Sequence, residues 1–254
     1  MGVIYKNVNY DYCAMLIISI LIITTILRRM VKGKVNRSFL EVLVVAWLTI
    51  LFDIWAVHLD NLGVQQVFTK YVAHMGYLVL HSLEMPFYIT YLVAITDTWH
   101  LFKAKRLLAF LPLFPVLVIT GLILTSPATK WIFYINAQYE YTRGKYFTLL
   151  YVCAVIYLIY GLTYLWIHRK MFRRRYFVSL GIFFAAEIAG IVIQYFYPTL
   201  LVEMLCMSIG LLFISLMLQR PEERLDVVTG LNKITAYMDD MRQAFRTRKP
   251  IHII

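Results

Sequence analysis

Seven apolar stretches leave this chain few ways to fold. They run roughly over 10–27, 38–59, 71–95, 107–126, 146–167, 177–197 and 200–218. A helix of ~20 mostly apolar residues is long enough to cross the hydrocarbon core of a bilayer. A soluble domain of 254 residues could not hide a composition that is 61% hydrophobic. Only 15% of the residues are charged, against about a quarter in soluble domains. The pattern is that of an all-α membrane protein, a seven-transmembrane-helix bundle.

Charge sorts the connections between the stretches. Arg28, Arg29, Lys32, Lys34 and Arg37 follow the first. Lys103, Lys105 and Arg106 follow the third, Arg169, Lys170, Arg173, Arg174 and Arg175 the fifth, and Arg220 and Arg224 the seventh. The other side holds only Lys6, Lys70, Lys130, Arg143 and Lys145. Basic loops stay cytoplasmic, so the expected topology is N-terminus outside and C-terminus inside. The same clustering accounts for the net charge of +11 without nucleic acid as a partner; the lipid bilayer is the expected one. The charge order around the first run is the reverse of a cleaved signal peptide's. Cys13, Cys153 and Cys206 lie in or beside apolar runs without paired spacing and read as packing residues.

The longest outer connection, Ser126 to Tyr146, carries Trp131, Phe133, Tyr134, Tyr139, Tyr141 and Tyr146. An aromatic belt at the membrane interface and a lid over an outward pocket both fit it.

Ionisable residues inside spans are costly and usually face the bundle interior. The second run holds Asp53 and His58, the third His74, His81 and Glu84, the sixth Glu187 and Gln194, and the seventh Glu203. His74 and His81 are seven apart and Glu84 three beyond, so helical periodicity puts them on one stripe. Glu187 and Gln194 repeat the seven-residue spacing. Asp53, His74, His81, Glu84, Glu187, Gln194 and Glu203 are the candidate ligand pocket, open to the outside if their helices are neighbours. Interhelical hydrogen bonding, a pocket for a small ligand or ion, and a transport path are three readings of the same set. His81-x-x-Glu84 has a metal-ligand spacing but stands alone, so no metal site is assigned. Pro86 should kink the helix nearby.

Beyond the last run, Pro221 breaks the helix, and Asp226-Val227-Val228-Thr229-Gly230-Leu231 follows. Ile234, Tyr237, Met238, Met241 and Phe245 then mark one face of an amphipathic helix. Ile251-His252-Ile253-Ile254 begins a strand. So short a tail cannot close a core of its own, and it looks like the opening of a larger α/β domain.

Residues 226–237 resemble the D-x-L-T-G-L-x-N-R-x-x-F opening of GGDEF domains, the diguanylate cyclase family. Asp226, Thr229, Gly230 and Leu231 match it directly, while Lys233 and Ile234 stand at its Asn-Arg positions. The resemblance implies a nucleotide-cyclase-like domain that works as a homodimer on GTP with Mg²⁺. The family's metal-binding Asp and GG(D/E)EF loop would fall beyond residue 254. No catalytic residue is therefore assigned, no cofactor is expected in this chain, and it should be inactive alone. The expected organisation is a seven-helix sensor over 1–219 and a cytoplasmic joint and domain fragment over 220–254. The expected function is a membrane receptor that senses an unknown small ligand or membrane cue and regulates cyclic di-GMP output. The alternatives are a degenerate GGDEF domain ahead of an EAL phosphodiesterase, or a small transporter or cation-conducting protein.

Overall fold

A computed structural model describes residues 7–27, 34–96, 98, 113–170, 172, 174–197, 200–218 and 241. The chain is mostly helical. Its elements are α1 (Asn9–Leu27), α2 (Lys34–Asn61), α3 (Val67–Thr96), α4 (Phe114–Leu124), the one-turn α5 (Ser126–Thr129), β1 (Phe133–Ile135), β2 (Tyr141–Arg143), α6 (Thr148–Ile167), α7 (Arg174–Phe196) and α8 (Glu203–Leu218). Five helices are long and apolar enough to cross a membrane: α1, α2, α3, α6 and most of α7. Two shorter apolar helices, α4 and α8, fall in the remaining apolar stretches. The joint and the GGDEF-like segment, Asp226 to Leu231 included, lie outside the described residues.

The helix ends follow local chemistry. A Pro occupies the first turn of both α4 and α5, where its missing N–H costs nothing and its fixed φ suits the helix. Lys130 ends α5 in the left-handed conformation, with φ 58°. Gly63 turns the chain between α2 and α3 with φ +61°, which glycine adopts without strain. Pro86 lies within α3, which runs on to Thr96.

Apolar residues cover the outside of the helices, among them Leu16, Ile20, Ile23, Val152, Ile156, Ile159 and Val192. In water this surface would be unfavourable; against lipid chains it is not. Packing inside divides in two. One buried apolar cluster joins α1, α2, the C-terminal half of α3, α7 and α8 around Ile18, Leu43, Tyr91, Phe183 and Leu211. The other joins α3, α4, α6 and the hairpin around Leu78, Ile119, Phe133 and Tyr157.

The aromatic connection between α4 and α6 is a β-hairpin. β1 and β2 are antiparallel, with Phe133 opposite Arg143 and Ile135 opposite Tyr141. Ser126 anchors it: the buried hydroxyl donates to the Phe133 carbonyl at 3.0 Å and accepts from the Ile132 and Phe133 amides at 3.0 and 2.9 Å. The Asn136 side chain accepts from the Gln138 and Glu140 amides and closes the loop, a turn that Asn favours.

Glycine allows close helix contact where α7 meets α8. A Cβ on Gly190 would lie 3.0 Å from the Glu203 Cα and 3.1 Å from the Cys206 Cβ. Gly190→Val should therefore push the start of α8 outward and destabilise the fold by about 1–3 kcal/mol. Thermal unfolding of the detergent-solubilised protein checks this; an unchanged midpoint contradicts the packing.

Candidate functional site

A cavity of about 160 Å³ lies between the two apolar clusters. Asp53, His74, His81, Glu84, Glu187, Gln194 and Glu203 all line it. These seven side chains come from α2, α3, α7 and α8, so the fold brings the polar positions of four helices to one place. One water fills roughly 10–15 Å³ on this measure, which leaves room for roughly ten heavy atoms.

His81 is the hub. Its Nδ1 is hydrogen-bonded to Glu84 Oε2 at 3.0 Å, one turn further along α3. Its Nε2 lies 3.5 Å from Glu203 Oε1, in the first turn of α8. A carboxylate thus faces each ring nitrogen, and the imidazole ties α3 to α8. Tyr77 stacks on the ring, with centroids 5.6 Å apart and planes 11° from parallel. Gln194 acts differently: its side-chain oxygen accepts from the Glu203 amide at 3.2 Å and satisfies an otherwise unpaired donor at the start of α8.

Two further acids are deeply buried here. Glu84 is 7% exposed, and its Oε1 has no hydrogen-bond partner among the described residues. Glu187, 3% exposed on α7, reaches the same cavity. Asp11 of α1 is fully buried, and neither carboxylate oxygen has a partner among the described residues. His58, by contrast, sits at the exposed end of α2, bonded to the Tyr12 hydroxyl at 2.6 Å.

The hairpin closes one end of the cavity. Tyr141 and Arg143 line the cavity, Tyr141 stacks on His74 at 4.4 Å, and the Arg143 guanidinium lies 4.7 Å from the centre of the Phe147 ring. Burial pushes the Tyr141 phenol well above its ordinary pKa, with Arg143 pulling the other way. It therefore stays neutral at physiological pH. A buried latch holds the hairpin to α2 and α3. Lys70, 1% exposed, donates to the Tyr139 carbonyl at 2.6 Å and lies 3.4 Å from Asp60 Oδ1. His74 Nε2 approaches the same Asp60 oxygen at 3.3 Å.

Lys70, Asp60, Tyr77, Tyr141 and Asp11 are absent from the set chosen on helical spacing. Lys70 and Asp60 read in sequence as ordinary ends of spans. Only the hairpin makes them partners. Asp11 lies within the 10–27 stretch but shares no helix with the chosen set.

The latch predicts a local effect. A hydrogen bond from a charged donor contributes about 1.5–3 kcal/mol. Lys70→Met should therefore speed amide exchange at residues 133–143 by roughly tenfold or more, while exchange in α2 and α6 stays slow. Hydrogen exchange read by mass spectrometry checks it, and equal protection of the hairpin in both proteins removes the latch.

Comparison of the chain with family models, with curated proteins and with solved structures found no match.

Proposed function

We propose that this chain is the sensory part of a bacterial inner-membrane receptor, with seven spans and an outside N-terminus. The cavity binds a small ligand, and the last helix passes the result to a cytoplasmic GGDEF-type domain. One observation carries the reading: Glu203, bound into the cavity through His81, stands in the first turn of the helix that leads directly to the 219–254 segment. A ligand that engages this cluster acts on the N-terminal end of α8. A shift or rotation of α8 arrives at its C-terminal end.

Two further features support it. The cavity lies between two separately packed clusters, where a ligand can favour one arrangement of the clusters over another. A ligand changes output only by binding two states with different affinity, and packed cores change between discrete arrangements. The Asp226 to Leu231 match supplies the output, cyclic di-GMP made from GTP by a homodimer.

The test uses the gene's whole reading frame. A GGDEF-type domain should follow codon 254, and cyclic di-GMP measured in cells should shift in His81→Ala and Glu203→Gln variants that reach the membrane in normal amount. A reading frame without such a domain overturns the proposal. Proton or cation flux through the wild-type chain in liposomes, abolished by Glu187→Gln, replaces it with a transport reading.

A further inference from the structure

We infer that the cavity is a site for an uncharged molecule of roughly ten heavy atoms, an apolar or aromatic body with one hydroxyl group, which Glu187 meets as a neutral carboxylic acid. The inference rests on the reading of this cavity as a ligand site and adds the chemistry of what enters.

Glu187 stands apart from the other polar groups of the lining. His81 is shared between Glu84 and Glu203. Gln194 accepts from the Glu203 amide, and His74 approaches Asp60. Asp53 has a partner as well. Glu187 lines the cavity from α7 at 3% exposure, and it makes no hydrogen bond or ion pair among the described residues. Its situation differs from that of Glu84, whose unpartnered oxygen is sealed off. The Glu187 oxygens are not sealed, and the surface they keep faces the space they line.

Burial decides the form of this group. A lone ionised carboxylate is so costly away from water that the group keeps its proton instead. The neutral carboxyl has an O–H to donate and a carbonyl oxygen to accept, and leaving them unmade in a buried site is unfavourable. A hydroxyl is the smallest uncharged group that can both accept from the one and donate to the other. Charged ligands of either sign fare worse. An ammonium would give up water for acids that already share His81 or have other partners. A carboxylate would look to Arg143, but that side chain is exposed and lies over Phe147. The walls then set the body. Leu78, Met85, Ile119, Leu158 and Ile191 line the cavity, and such side chains favour hydrocarbon.

Four probes on one ring decide it: 2-phenylethanol, ethylbenzene, 2-phenylethylamine and phenylacetate, titrated calorimetrically at neutral pH into the chain in nanodiscs, with empty nanodiscs subtracted. Partitioning into an apolar space alone would favour ethylbenzene. The alcohol should instead bind roughly fivefold more tightly than ethylbenzene, as expected for one net hydrogen bond, and more tightly than the amine and the acid. Glu187→Leu should remove the advantage of the alcohol over ethylbenzene. Glu187→Gln keeps a donor and an acceptor without charge, so it should hold the alcohol within about twofold of wild type. Preference for the amine or the acid overturns the neutral-ligand assignment, and so does ethylbenzene binding as tightly as the alcohol. Loss of the alcohol in Glu187→Gln overturns the neutral carboxyl, and binding of none of the four by folded protein overturns the site. If Glu187→Leu fails to fold, the ranking of the probes on the wild-type chain still decides. Failure of the receptor reading has a separate readout, cyclic di-GMP that ignores the His81 and Glu203 substitutions.

Discussion

The contact that organises the structure is His81 held between Glu84 and Glu203. Charged groups are expensive away from water, and this helix bundle carries several in its interior. They are tolerated as a set. The imidazole offers one ring nitrogen to an acid on its own helix and the other to an acid on α8, so one side chain compensates two elements. Truncating it would leave two acids facing each other across a cavity. The same contact sets the spacing of α3 and α8, and so sets the width of the cavity between the two apolar clusters.

The hairpin is a second constraint. Polar backbone can lie near a bilayer only where protein satisfies it. Here a single buried hydroxyl, Ser126, satisfies three backbone groups, and the buried Lys70 meets a fourth at Tyr139. Phe133 packs on Tyr71 and His74, while Tyr141 stacks on His74. The hairpin wall of the cavity and the latch thus share His74, on the same stripe of α3 as His81.

Much of the helical layer was legible in sequence because its signal is local. An apolar run of sufficient length becomes a helix whatever surrounds it, and residues seven apart on a helix share a face in any fold. That is why His74, His81 and Glu84 could be grouped before α7 and α8 supplied Glu187, Gln194 and Glu203. What the sequence could not carry were contacts between distant elements. Asp60 and Lys70 are ten residues apart but meet across a turn, and Tyr139 reaches them from sixty-nine residues beyond Lys70. The hairpin has three-residue strands whose aromatic content also fits an interfacial belt, so its role as a cavity wall emerges only from packing. Gln194 looked like a pocket group and sits in the pocket lining. Its side chain is also committed to the first turn of α8.

The arrangement around α8 bears most directly on how a signal would leave the cavity. Gly190 and Gly210 let α7 and α8 approach closely, the latter against Phe183, and Gln194 fastens the start of α8 to the end of α7. These two helices therefore move most easily as a pair. α8 also packs on α1, which carries the buried Asp11. Because α8 is stiff, an inward tilt of its first turn displaces its last turn the opposite way about any pivot near Gly210. Mechanical coupling of this kind requires only a rigid helix tied at its start, as α8 is through Glu203 to His81.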